Sequence, residues 1–147
     1  MEIKIKKLHE DSRIPTYSHE NDAGADLYSA EDFLLAKNST ATVPTGICLA
    51  IPRGYVGYIN PRSGLAAKYG VTVLNAPGTI DAGYTGEIKV ILANHSDQDY
   101  QILKDDRIAQ IVFQQIEYAK FDVVDSLDET ERGNGGFGST GFNGAWE

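Results

Sequence analysis

Glycine, proline, asparagine and aspartate interrupt this chain so often that few stretches are long enough for a helix, and the runs between them are rich in β-branched and aromatic residues. "EIKIKKL", "ADLYSA", "ATVPTGICLAI", "YVGYIN", "VTVLN", "GEIKVILAN" and "KFDVVD" all read as strands. In the first, Ile3 and Ile5 alternate with lysines, as one wet face requires. "RIAQIVFQQI" places Ile108, Ile111, Val112 and Ile116 on a helical face, but its Ile/Val/Phe content and short length assign it to a strand. One segment reads as a helix: in "RSGLAAKYG", Ser63 caps a short turn through Leu65 to Tyr69 and Gly70 ends it. Many short strands, one helix and no βαβ alternation predict an all-β antiparallel sandwich or jelly roll.

At 147 residues the chain is expected to form one domain. A single cysteine, Cys48, rules out an intrachain disulfide and reads as a small buried hydrophobe in a reducing compartment. "MEIKIKKLHE" lacks the apolar run of a signal peptide and no segment has membrane-spanning length, so a soluble, cytoplasmic protein is expected. Net charge is −8, with 13 basic against 21 acidic residues, which argues against direct nucleic-acid binding. A small phosphorylated ligand remains open where a few arginines converge. His9, His19 and His95 share no ligand spacing, so a zinc site is not expected, and no G-x-S-x-G nucleophile elbow occurs.

Two stretches carry chemistry. In "RGNGGFGSTG", Gly133, Gly135 and Gly138 fit the dinucleotide fingerprint, and Gly133, Gly138, Ser139 and Thr140 fit a phosphate loop without its lysine. Both motifs need a helix behind them, and only nine residues follow Gly138. From Ser126 the composition turns to Asp, Glu, Gly, Asn and Ser, so residues 1–125 are expected to form the folded body and 126–147 a mobile arm. That arm is either a disordered tail or a ligand clamp whose glycines let the backbone approach a phosphate, with Phe137 covering something flat. In "NAPGTIDAGYTGEIKV" two strands flank a Gly/Asp-rich stretch, read as a hairpin. Asp81 there either does turn chemistry or serves as a general base fixed close to a polyphosphate.

"AGADL" (Ala23 to Leu27), "PRSGLAAKYG" (Pro61 to Gly70), "NAPGTIDAGYTGE" (Asn75 to Glu87), "DRIAQ" (Asp106 to Gln110) and "RGNGGFGSTG" together resemble, in order, the five motifs of the trimeric deoxyuridine triphosphatase (dUTPase) family. Gly83 is a departure, since many members carry an acidic residue there. The resemblance implies a distorted β jelly roll, a homotrimer with active sites at subunit interfaces, and Mg2+-assisted hydrolysis of dUTP to dUMP and pyrophosphate. That reaction limits uracil incorporation into DNA and supplies dUMP for thymidylate synthesis. It implies that Asp81 activates the water attacking the α-phosphorus, that Asn75, Gly78, Thr79 and Ile80 surround uracil, that Tyr84 packs beneath the sugar, and that Lys89 lies nearby. Arg62, Ser63 and Gly64 would hold phosphates at the helix start, with Arg107 and Gln110 positioning phosphates and water. Asp26 would contact the metal through water or fix a subunit contact. Arg132 would clamp the γ-phosphate, Phe137 would stack on uracil, and Gly138, Ser139 and Thr140 would wrap the phosphates. The competing readings are a dCTP deaminase of the same fold, a non-catalytic nucleotide-sensing regulatory protein, and a jelly-roll structural protein.

Overall fold

The computed structural model describes residues 1–136. Alternation of apolar and polar residues drives the strands to stack face to face, and two four-stranded antiparallel sheets result. One runs in the order β1 (Lys4–Lys7), β4 (Thr40–Ala50), β8 (Glu87–Asn94), β6 (Val71–Val73). The other runs β2 (Gly24–Tyr28), β10 (Arg107–Gln115), β5 (Tyr55–Asn60), β7 (Gly78–Asp81). A short pair, β3 (Phe33–Leu35) with β9 (Tyr100–Ile102), and the helix α1 (Ser63–Tyr69) complete the jelly roll. Among the described residues no helix is long and apolar enough to cross a membrane.

The core fills the space between the sheets. Ile88, Val90 and Leu92 of β8 are fully buried and pack in one cluster with Leu27, Ile59 and Ile111 of the opposite sheet. Leu92→Ala is therefore expected to lower unfolding free energy by about 2–5 kcal/mol, the usual range for a core leucine, as a fall in the urea midpoint at fixed protein concentration.

β10 explains why its sequence looked half helical. Arg107 pairs with Tyr28 and Ala109 with Leu27, so Ile108 is an extra residue in the ladder. This bulge breaks the two-residue period and lets Ile108, Ala109 and Ile111 all be buried. A second irregularity lies in β4, where Pro44 pairs with Lys89 and Cys48 with Glu87. Gly46 sits inside it at φ 69°, and a Cβ there would fall 2.4 Å from Ser12 Oγ. The turn leaves Gly46 N–H free to donate to Glu87 Oε1 at 3.0 Å, which fixes that carboxylate next to the end of β8.

Several expectations need correction. Arg62, not Ser63, occupies the N-cap of α1 in extended conformation (φ −94°, ψ 126°), and no side chain caps the helix. Ser63 is already helical, because the strand-like backbone of β5 runs through Pro61 and Arg62 before it turns. Gly70 ends the helix at φ 65°, and its N–H donates to Ala66 O, as a left-handed C-cap should. "KFDVVD" forms no strand: Phe121 and Val123 are 91% and 97% exposed, since the composition is β-like but no edge within the same chain receives it. Cys48 is half-buried rather than buried. The hairpin around Asp81 is not a paired one, because β7 ladders with β5 while β8 ladders with β4 and β6. The segment crosses between sheets.

Candidate active site

Register builds the first half of the site. Gln110 on β10 stands opposite Asp26 of β2 on one side and Asn60 of β5 on the other, which sets three polar side chains in a row across the sheet. Ala25 and Leu27 point into the core, so Gly24, Asp26 and Tyr28 lie on the opposite face of β2. Gly24 is required there: a Cβ would come within 2.2 Å of Gln110 Oε1. Gln110 Nε2 in turn donates to Pro61 O at 2.9 Å and ties down the turn that delivers Arg62.

Asp26 organises this half. Its carboxylate is buried, and both oxygens are engaged. Oδ1 lies 3.0 Å from Arg62 Nε, and Oδ2 lies 3.3 Å from Arg107 Nε. Ser18 Oγ also donates to Oδ2 at 3.3 Å. Arg62 Nη1 donates to Arg107 O at 3.4 Å, closing the contact. Two guanidinium groups against one carboxylate leave a local surplus of one positive charge. Arg107 is pushed further toward its charged form by a hydrogen bond to Tyr28 and by the Asp26 carboxylate.

Beside this cluster lies a cleft of about 520 Å3, lined in part by Gly24, Asp26, Arg62, Ser63, Gly64 and Gln110. The first amides of α1 have no partner within the helix. No atom lies within 4 Å of where a Gly64 Cβ would sit, so an anion can approach the backbone there. Arg62 and the free amides at the start of α1 can meet an anion in this cleft, which the carboxylates of Asp22 and Asp26 also line. Arg107 lines an adjoining cleft of about 410 Å3, and Arg62 borders both.

The second half sits elsewhere. Thr79, Ile80, Asp81, Tyr84 and Lys89 line a separate cleft of about 240 Å3 together with Glu87. Gly83 adopts φ 99°, a conformation that disfavours any side chain, so an acidic residue at this position would be strained on this backbone. Tyr84 folds over Gly86, where a Cβ would lie 2.7 Å from its Cζ, and its hydroxyl donates to Glu87 O at 2.9 Å. Lys89 Nζ is 3.6 Å from Glu87 Oε2. Asn75 closes over Gly78, with Nδ2 3.2 Å from the position a Cβ would take.

One chain does not bring the halves together. β7 runs antiparallel to β5, with Asp81 opposite Val56 and Gly78 opposite Ile59, whereas Asn60 and Arg62 follow at the far end of β5. The four steps along the strand from Val56 to Asn60 alone span about 13 Å. Arg132 is exposed, and among the described residues its side chain bonds within its own turn, Nε donating to Gly135 O at 3.0 Å. Phe137, Gly138, Ser139 and Thr140 lie outside the described residues. Among the described residues no group of three or more His, Cys, Asp or Glu side chains could cage a metal ion. Sequence reasoning missed Asn60, Tyr28 and Glu87. Glu87 was visible inside the third motif, but the roles of Asn60 and Tyr28 depend on strand register.

The dUTPase family model matches residues 10–141. A deoxyuridine 5'-triphosphate nucleotidohydrolase of Thermobifida fusca is 54% identical over 144 residues, covering 97% of this chain and 80% of the relative. One from Clostridioides difficile is 48% identical, covering 95% and 98% of the two chains. Among solved structures, a variant of the Staphylococcus bacteriophage 80alpha dUTPase with dUpNHpp superposes at a TM-score of 0.89 with 30% identity, covering 96% and 99%. A variant dUTPase from phage phi11 of S. aureus, described for the coordination of a structural Mg(II) ion, superposes at 0.78 with 29% identity, covering 86% and 98%. The antiparallel jelly roll, the family-model match and the relatives' identity over nearly the whole chain have one common explanation: the chain belongs to the dUTPase family.

Proposed function

We propose that the protein hydrolyses dUTP to dUMP and pyrophosphate, acting as a homotrimer whose active sites form between subunits. The observation that carries this is the division of the site: an anion-binding cleft around Arg62, Ser63 and Gly64, and a carboxylate cleft around Asp81, at opposite ends of β5. Two complementary surfaces on different parts of one chain make a head-to-tail contact, which closes as a ring. The exposed Phe121, Val123 and Leu127 after β10 supply apolar area for such a contact.

In the closed site Asp81 of one copy accepts a proton from water as its oxygen bonds to the α-phosphorus. The bond from that phosphorus to the bridging oxygen breaks, and pyrophosphate leaves. Arg62, Ser63, Gly64 and Gln110 of another copy hold the phosphates, and Arg107 supports them through its pairing with Asp26. Asn75, Gly78, Thr79 and Ile80 surround uracil, Tyr84 lies beneath the sugar, and Lys89 stands beside them. The bound dUTP analogue in the phage structure supports this substrate. A narrow pocket rejects a thymine methyl or a ribose hydroxyl by collision, which discriminates more strongly than a lost contact.

Mg2+ fits as a companion of the triphosphate. Asp26 has both oxygens engaged by arginines, so it reaches a metal only through water. When bound, the ion supplies charge neutralisation on the phosphates. Arg132, Phe137, Gly138, Ser139 and Thr140 close over the nucleotide as an arm, and a cytoplasmic site of action suits the substrate.

The test is to incubate the protein with Mg2+ and each deoxynucleoside triphosphate in turn, measuring pyrophosphate and ammonia. Pyrophosphate from dUTP, with far less from dTTP, dCTP and UTP, is the expected result. Ammonia from dCTP would transfer the assignment to the deaminases. No turnover alongside tight dUTP binding would favour a nucleotide sensor.

A further inference from the structure

His19 and Asp22, in the loop before β2, line the cleft that also holds Arg62, Ser63 and Gly64, and neither has a task in the proposed reaction. The loop is tied to the strand behind it. Asp26 N–H donates to Thr16 O at 2.8 Å, and Ser18 Oγ donates to Asp26 Oδ2 at 3.3 Å. Beyond Ser18 the chain closes on itself. Asp22 N–H donates to His19 O at 3.2 Å, and Asp22 Oδ2 accepts the backbone N–H of His19 at 2.8 Å. The same carboxylate oxygen lies 3.2 Å from His19 Nδ1. A carboxylate has no hydrogen to give, so Nδ1 carries the hydrogen. The ring is exposed, and Nε2 has no partner among the described residues.

Asp22, Asp26 and Arg62 are the charged side chains that line the cleft beside His19. Asp26 is matched by Arg62 and Arg107. Asp22 meets no arginine or lysine among the described residues, and His19 is its partner. A triphosphate entering here therefore approaches an unmatched carboxylate, and like charges at short range repel. Histidine is the side chain whose charge changes near neutral pH. A second proton on the ring turns the His19–Asp22 pair from net negative to neutral. It also adds a charged donor, Nε2–H, to the wall of the cleft.

We propose that His19 is a phosphate-binding residue of this cleft. As the triphosphate enters, His19 Nε2 takes a proton from solvent and donates it in a hydrogen bond to a phosphate oxygen, while Asp22 holds the ring through Nδ1–H. This rests on the reading of the cleft as the triphosphate site. Because binding takes up a proton, affinity falls as pH rises. The loop does not need the imidazole for its shape. The backbone N–H of His19 already engages Asp22 at 2.8 Å, so replacing the ring leaves the turn closed.

Equilibrium binding of a non-hydrolysable dUTP analogue with Mg2+ tests it on the full-length protein, His19→Gln and His19→Lys. The affinity of the unmodified protein is expected to fall about tenfold between about pH 6 and pH 8, the loss associated with one hydrogen bond to a charged group. The terminal phosphate of the nucleotide titrates in the same range, so the measure is the difference between proteins. Relative to the unmodified protein, His19→Gln binds weakly at both pH values, and His19→Lys, a permanent cation, binds tightly at both. Calorimetry in two buffers of different ionisation enthalpy counts protons, and the unmodified protein takes up more than His19→Gln. A reading independent of turnover comes from the His19 ring signals in NMR. They shift toward the protonated form when the analogue or inorganic pyrophosphate is added at about pH 7.5. Equal proton counts in the unmodified protein and His19→Gln, or ring signals that neither ligand moves, would overturn the proposal. Should the protein release no pyrophosphate from dUTP while added pyrophosphate still protonates His19, the functional reading falls and the role of His19 stands.

Discussion

Asp81→Asn is expected to bind dUTP with its affinity changed by less than about threefold and to lose about 10²–10⁴ in kcat, the range attributed to a positioned general base. Asparagine keeps the size of the side chain and one acceptor oxygen, but it cannot take a proton from water. The effect should be confined to chemistry. Asp81 is exposed at the end of β7, and none of the ion pairs among the described residues involves it. Its replacement therefore leaves the thermal midpoint within about a degree or two, as surface substitutions do. Single-turnover measurement with dUTP, beside equilibrium binding of a non-hydrolysable analogue, separates the two effects. A kcat within tenfold of the parent value would remove Asp81 from the proton transfer and return it to turn chemistry.

The sharp bend that carries Asp81 is legible from local sequence, and the reason is physical. A segment that must bend sharply writes itself into consecutive residues: Gly78 beneath Asn75, Gly83 at positive φ, Gly86 beneath Tyr84. Strand periodicity was legible for β2, β4, β5 and β8 because one face of each meets the core. What depends on register was not. The row Asp26–Gln110–Asn60 joins residues far apart in sequence, and no spacing rule predicts it before the ladders are known. The motif offers Asp26 as an outer partner of a metal or as a subunit contact, and its pairing with Arg62 and Arg107 comes only from the fold. The same limit explains "KFDVVD". Alternation reports a willingness to pair, whereas pairing needs an edge, and within one chain none is supplied. β3, β7 and β9 escaped notice because three or four residues between polar turns carry too little pattern.

Removal of residues 126–147 is expected to leave the fold and assembly intact and to lower kcat/KM for dUTP by at least about 100-fold, or roughly 2.7 kcal/mol of transition-state stabilisation. Stability should be spared for a visible reason. From Ser126 to Glu131 every residue is exposed, and the hydrogen bonds of this stretch and the next are local, such as Gly133 N–H to Thr130 O at 3.0 Å and Gly135 N–H to Arg132 O at 2.9 Å. None of the described residues from 126 to 136 belongs to the core cluster, and the apolar Phe121 and Val123 remain for subunit contact. Activity should suffer because, on the proposed function, Arg132 is the cation that the arm brings to the cleft at Arg62, Ser63 and Gly64. Ordering the arm costs about 1–2 kcal/mol per residue in backbone entropy, so it closes only when charge-assisted bonds to phosphate and stacking on a base offset that cost. The same balance predicts which nucleotides close it. dUTP offers both the triphosphate and the base, whereas pyrophosphate alone lacks the stacking partner and should leave the arm open. Limited proteolysis gives the measurement: cleavage after Arg132 should slow with dUTP analogue and Mg2+ and persist with pyrophosphate. A truncated protein that turns over dUTP at the parent rate would show that the body alone completes the site, and the glycine-rich end would then be a tail.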